Sequence, residues 1–460
     1  MNISASLFYF IPELILLLNI LILFFFADIR QKRLLILLKA FLLAGFSAVI
    51  ILNIGCLADL PRGLFSNHFV RDPFASLFGI VLVILFFVLN ANLLCQFQKG
   101  AHFRELMNRT LSLMAVLLLV KANSLTALVL CFGLIFISHT LSNEPSKSEN
   151  SGNFATMQIH LLSFGMLLFG FWIIHTLSGT FYFSNMDGAA TSLYKNPVIA
   201  CYLFLLLTTG FGLYGILIPF YGLHNHRNSF NGIWDSGYFL PLLGLFATLI
   251  RLMNILFPEN TSLATPSGKI TVFAAGLSTC LMLGANLYYL QRKNRSNLFN
   301  AALVIHYAMT LIGLTRLNPH SAAAVIYFML SATPMFAGIT LLRRDNHHSG
   351  ADKYLLTIFY LGLLGLPGTS GFAGRFLLMK TLLDSGISIG IIIISFLFSV
   401  PLVFYFCREI IGLYTAPEKP AEFAGRDRLM PIFLALVTLA TGIFWEPFFE
   451  IITKTIVFFP

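Results

Sequence analysis

Charge is scarce in this chain. Only 10% of its 460 residues are Asp, Glu, Lys or Arg, against roughly 25% in ordinary soluble domains, which excludes a conventional water-solvated fold. Acids are the scarcer sign, 19 against 29 Lys plus Arg. There are six cysteines, Cys56, Cys95, Cys131, Cys201, Cys280 and Cys407, none in the C-x-x-C spacing that holds zinc or an iron–sulfur cluster. They read as inert buried thiols. The N-terminus lacks a basic leader and a small-residue cleavage site, and Glu13 and Asn19 interrupt its apolar run, so it reads as a retained span.

What the chain has is hydrophobic length. Its residues are 57% hydrophobic and its mean hydropathy is +0.84, the composition of a polytopic membrane protein. At roughly 20 residues per crossing, about fourteen apolar spans are predicted. They lie near 7–27, 34–56, 74–95, 106–120, 125–141, 154–175, 198–221, 238–257, 270–290, 298–314, 322–342, 354–383 (interrupted), 387–407 and 429–449. The one notably polar segment, Ser142 to Asn153, reads as a mobile cytoplasmic loop.

Basic residues in loops stay on the cytoplasmic side. Connections after odd-numbered spans hold 18 Lys or Arg and those after even-numbered spans hold 7, which predicts that both termini are periplasmic. His224, His226, His347 and His348 fall in connections and read as solvated.

Span seven contains TTGFGLYGILIPFYG, with Gly210, Gly212 and Gly215 in the order G-x-G-x-x-G. A dinucleotide fingerprint needs these glycines between a strand and a helix of a soluble βαβ unit, and this composition supplies none. Pro219 follows in the same apolar run. Span twelve repeats the pattern, with Pro367 among Gly362, Gly365, Gly368, Gly371 and Gly374. Proline removes a backbone donor, so both segments read as broken helices. The two prolines lie five spans apart, and an odd number of spans per repeat inverts the second copy, so the pair points to an ion pathway between inverted repeats. A simple kink is the bland alternative for either segment alone.

Ionisable residues inside spans are costly and mark pathways or pairing sites. Arg251 lies in span eight, His306 in span ten, and Arg375 and Lys380 in the second half of span twelve. Gln158 and His160 lie early in span six. A packed histidine, structural ion pairs and a lysine reaching a headgroup are the alternative readings. Lys39, near a span end, reads as snorkelling, and Glu13 receives no role.

HFVRDPFASLFG, GFGLYGILIPF, FATLIR and, most specifically, LGLLGLPGTSGFAGRFLLMKTLL resemble the antiporter-like membrane subunits of respiratory complex I, the proton-pumping NADH:quinone oxidoreductase. The opening IPELILLLNILILFFFADIRQKR and the overall length favour the subunit N family over its two larger relatives. The resemblance implies an all-α integral membrane protein of fourteen helices, with two inverted five-helix repeats and broken helices seven and twelve. It divides the chain into N-terminal helices (1–105), a first repeat (106–257), a second repeat (270–407) and a C-terminal helix (429–460). It also implies a multi-pass protein of the bacterial inner membrane that works in a hetero-oligomer with other membrane subunits. Those other subunits would bind NADH, flavin, iron–sulfur clusters and quinone, leaving this chain with no cofactor.

The family carries protons along buried polar groups that include a glutamate in span five and lysines in spans seven, eight and twelve. Here Gly133, Tyr214, Arg251 and Arg375 align with them, and His306 matches the span-ten histidine. Tyr214, Arg251, His306, Arg375 and Lys380 are thus the candidate proton-pathway residues. Arginine keeps its charge where lysine can lose a proton, so the relay is altered. A structural subunit that moves no protons, and a subunit of a cation/proton antiporter, are the competing functions.

Overall fold

The computed structural model describes residues 9–25, 32–95, 100–142, 150–215, 236–257, 268–292, 295–315, 318–343, 350–415 and 429–456. Helices dominate them because a chain in lipid must satisfy its backbone within each segment. In order they are α1 (Ile11–Phe25), α2 (Lys32–Gly55), α3 (Pro73–Cys95), α4 (Gly100–Lys121), α5 (Leu125–Ser142), α6 (Asn150–Ser178), α7 (Asp187–Lys195), α8 (Pro197–Gly215) and α9 (Ser236–Leu256). The second half holds α10 (Lys269–Arg292), α11 (Arg295–Gly313), α12 (Pro319–Arg343), α13 (Gly350–Leu364), α14 (Ser370–Asp384), α15 (Ile389–Leu397), α16 (Val400–Thr415), α17 (Leu429–Ile443) and α18 (Trp445–Ile456). A two-stranded antiparallel hairpin, β1 (Arg62–Leu64) and β2 (Phe69–Arg71), joins α2 to α3.

Among the described residues each predicted span coincides with helix, but not every one is a straight crossing. Six described helices are long and apolar enough to cross a bilayer, seven if α17 and α18 form one bent span. Four further apolar helices are shorter, so length and composition do not establish fourteen. The last predicted span turns through 84° between α17 and α18. Residues 150–153 of the predicted polar loop belong to α6.

Two helices form the centre. Every residue from Leu240 to Met253 of α9 is buried, and α12 is buried over most of its length. A helix apolar on all sides belongs in a core, and these two touch each other there. The outer helices turn large apolar side chains outward, among them Phe24, Trp172, Ile393 and Phe404. Such a surface suits lipid, not water.

The thiols follow this division. Cys131 is buried, but Cys280 and Cys407 are exposed, so these two are not the buried thiols the sequence predicts. Their helices α10 and α16 are peripheral, and a thiol is apolar enough to face lipid.

Candidate functional site

The interruption in span twelve is fully described. α13 ends at Leu364, and Gly365 (φ +78°) and Gly368 (φ +91°) adopt the left-handed conformation that glycine tolerates best. The last four carbonyls of a helix have no partner within it. Here Leu366 N–H donates to Leu361 O at 3.1 Å and Gly365 N–H to Gly362 O at 2.9 Å, the paired bonds of a Schellman motif. The remaining two belong to Arg375, which donates to Leu364 O at 2.7 Å and Leu363 O at 2.6 Å. One side chain of α14 therefore closes the open end of α13, with a cation where the helix dipole favours one. A side chain at Gly371 would strike the Gly362 carbonyl, and one at Gly442 of α17 would strike the backbone of the break. Pro367 lies within this turn. Pro219, the matching break in span seven, lies outside the described residues, as do the four loop histidines.

Arg251 reaches across from α9 to Asp72, Nη2 to Oδ2 at 2.5 Å, with side chains only 1% and 0% exposed. Asp72 also caps α3, its Oδ1 accepting the Ala75 N–H at 2.7 Å ahead of Pro73. Asp before Pro at a helix start has this capping meaning, and it is the sequence signal that identifies Asp72. The ring of Phe74 lies 5.3 Å from the Arg251 guanidinium. Arg251 is thus a fixed, compensated cation.

Tyr214 is buried in α8 and donates to the Phe132 carbonyl of α5 at 2.8 Å. Its ring meets those of Phe132 at 5.1 Å and His160 at 5.0 Å. Gly133, the position that aligns with the family's span-five glutamate, does not meet Tyr214. A Cβ at Gly133 would find no heavy atom within 4 Å, because that position turns toward the exposed side of α5 with Leu130 and Ile137. The meeting point is one residue earlier. His139, not singled out in the sequence, lies with its Nδ1 3.3 Å from His160 Nε2, both rings buried. Only the tertiary packing of α5 against α6 joins them.

His306 is buried in α11. Its Nδ1 faces the Ala302 carbonyl at 2.8 Å and so carries the hydrogen, while the ring stacks on Phe328 at 5.2 Å. This is the packed histidine with a backbone partner. Lys380 is exposed on the outer face of α14, so it does not join the buried groups. Its register on the helix, not its span, decides this.

A cavity of about 230 Å³ opens between α6, α8, α10 and α11, lined by Met166, Leu213, Leu277 and Leu311 together with Thr208 and Tyr307. Tyr307 donates to Thr208 O at 2.6 Å and Thr208 to Phe204 O at 2.7 Å. Their hydroxyl hydrogens are committed to backbone carbonyls, so the lining offers water little to bind.

Another polar group lies at one end of the bundle. Lys121, the last residue of α4, places Nζ 2.5 Å from Glu13 Oε1 in the first turn of α1, with side chains 2% and 3% exposed. Nearby, Arg71 donates to Tyr9 O and Leu52 O, each at 3.1 Å. Lys121 and Arg71 are therefore buried partners, not loop bases. On the other side of the tally Arg109 and Lys353 are buried as well. With all four set aside, sixteen basic residues still oppose five.

No protein-family model matches the chain. A curated relative, NADH-quinone oxidoreductase subunit N of Trichlorobacter lovleyi, is 26% identical and aligns over 82% of this chain and 81% of the relative. Among solved structures, a chain of respiratory complex I from Thermus thermophilus with bound aureothin superposes with a TM-score of 0.74 at 14% identity, covering 96% of this chain and all of that one. A chain of the Mrp complex from Dietzia sp. DQ12-45-1b gives 0.71 at 13% identity, covering 96% of this chain but 52% of its own length. The protein is a homologue of NADH-quinone oxidoreductase subunit N, with the fold of the antiporter-like membrane subunits of respiratory complex I.

Proposed function

We propose that this chain is a membrane-arm subunit of an NADH:quinone oxidoreductase, coupling electron transfer in the complex to proton translocation. The observation that carries this reading is the alignment with subunit N over most of both chains, on a helical scaffold that keeps charges inside its apolar body. The Mrp likeness covers barely half of that longer chain, which favours the respiratory reading over the antiporter.

On this reading other subunits bind NADH, flavin, iron–sulfur clusters and quinone. The chain would lie in the inner membrane with periplasmic termini. Its residues divide into two kinds. Arg251 and Arg375 are fixed charges, since a guanidinium keeps its proton, and they set the field and the helix geometry. His139, His160, His306 and Tyr214 supply exchangeable N–H and O–H groups in the interior.

Affinity purification of the chain from membranes, with identification of the co-purifying chains, tests the assignment. Flavin and iron–sulfur subunits and NADH-driven proton uptake in reconstituted vesicles are expected. Recovery with other antiporter-like chains alone, without a dehydrogenase, would overturn it.

A further inference from the structure

The N-terminal bundle, α1 to α4, holds polar groups that the resemblance to the complex I subunits leaves without a role. Glu13 Oε1 is bound by Lys121, but Glu13 Oε2 is buried without a hydrogen-bond partner. So are both amide atoms of Asn19, Asn53 Oδ1 and Ser76 Oγ. Buried polar atoms of this kind normally bind water, each water bridging two to four of them.

Glycines make room for two of these groups. A Cβ at Gly45 would lie 2.6 Å from Asn19 Nδ2 and 2.8 Å from Oδ1, and one at Gly79 would lie 3.1 Å from Asn53 Oδ1. Glu13 and Ser76 sit in the first turns of α1 and α3, Asn53 and Lys121 in the last turns of α2 and α4. All four therefore share one end of the bundle. Asn19 lies six residues further along α1, about 9 Å deeper at 1.5 Å per residue.

We propose that Glu13 and Lys121 form a proton-exchange site in this bundle, hydrated through Asn19, Asn53 and Ser76. The choice of cation supports it. Arg71, Arg109, Arg251 and Arg375 occupy positions where a permanent charge holds a carbonyl, an amide or a carboxylate in place. Lysine stands against Glu13, and a buried ammonium can release its proton where a guanidinium cannot. In the exchange step an N–H bond of Lys121 breaks and an O–H bond forms on Glu13 Oε1, converting the ion pair into a neutral amine and a neutral acid. The acid then passes its proton to water at the carboxyl group, and the amine takes one from water.

The charged groups around the pair are already committed. Asp72 binds Arg251, and Arg71 binds the carbonyls of Tyr9 and Leu52. His68, on the hairpin, has its Nδ1 2.9 Å from Ser124 Oγ and its Nε2 3.3 Å from the Tyr182 hydroxyl, and Asp59 lies on the connection ahead of the hairpin. The proposal rests on the proton-translocating reading above.

Lys121→Arg in the intact reconstituted complex is the decisive variant, because it keeps the charge pair and removes the exchangeable ammonium. Loss of proton translocation per electron, with the complex assembled, is expected. Wild-type translocation would overturn the site while leaving the subunit assignment standing. If Lys121→Arg fails to assemble, Glu13→Gln/Lys121→Met removes both charges together and carries the same two outcomes. A second readout is independent of pumping. Infrared difference spectra of the complex across a pH step should show a carboxylic C=O band that disappears in Glu13→Gln, and a band unchanged by that substitution would overturn the proposal. A wild-type complex that moves no protons while this band is present would instead refute the reading of function.

Discussion

Replacing Arg375 by leucine removes both hydrogen bonds that close the C-terminus of α13. Hydrogen bonds to a charged group contribute about 1.5 to 3 kcal/mol each in water-soluble proteins, which gives about 3 to 6 kcal/mol for two. Double-mutant cycles within membrane proteins average only about 0.6 kcal/mol per bond, which gives about 1 kcal/mol. Leu363 is fully buried, so its carbonyl cannot turn to water when the guanidinium is removed, and a loss of about 3 kcal/mol is expected. Arg375→Lys keeps the charge, but it lacks the two-pronged donor and should cost about half as much. Gly365→Ala attacks the same turn from the other side. It forces a Cβ into the left-handed region at about 1 to 2 kcal/mol, and that Cβ would lie 3.1 Å from the Arg375 side chain. The measurement is unfolding in mixed micelles by titration with a denaturing detergent, alongside recovery of the assembled complex. A leucine variant within about 0.5 kcal/mol of wild type, the usual range for inconsequential surface changes, would refute the capping role. The order wild type, lysine, leucine is the signature expected.

Arg251→Met should leave Asp72 as an uncompensated buried charge and destabilise by about 3 to 5 kcal/mol, whereas Asp72→Asn/Arg251→Met should recover much of that loss in the same assay. Simple additivity would mean that the two do not act as a pair. Tyr214→Phe should cost only about 0.5 to 1.5 kcal/mol, the net worth of a neutral hydrogen bond. Tyr214→Lys should be rescued by Phe132→Glu and not by Gly133→Glu, and rescue at Gly133 instead would show that the α5 register is misassigned. Ser146→Cys should react in intact cells with a membrane-permeant thiol reagent only, as the distribution of basic residues predicts for a cytoplasmic loop. Labelling by an impermeant maleimide would invert the topology.

The positions of the helices were legible because hydrophobic length and the sparseness of charge are properties of the chain itself, and lipid accepts few other backbone solutions. The break at Pro367 was equally plain, because glycine and proline act on their own backbone. What each polar residue does there was not. Arg375 and Lys380 share one helix and one apolar run, yet one is drawn to two carbonyls and the other faces outward, a difference of helical phase relative to neighbours that the sequence does not contain. Gly133 was the aligned position, yet Phe132 meets Tyr214, because a one-residue step turns a helix by about 100°.

The buried pairs lie further still from anything local. Glu13 and Lys121 are separated by 108 residues and Asp72 and Arg251 by 179, and no periodicity connects such positions. Of these four, Arg251 carried a local signal as a charge inside an apolar span and Asp72 as an acid preceding a proline at a helix start, but neither signal names a partner. By itself, then, the sequence determined that the chain is helical, lies in the membrane and breaks at Pro367, since burial length and backbone freedom are written residue by residue. The packing of helices distant in sequence alone decided which ionisable groups are compensated, capped or left with an exchangeable proton, because a charge in an apolar interior takes its character from the atoms within a few ångströms.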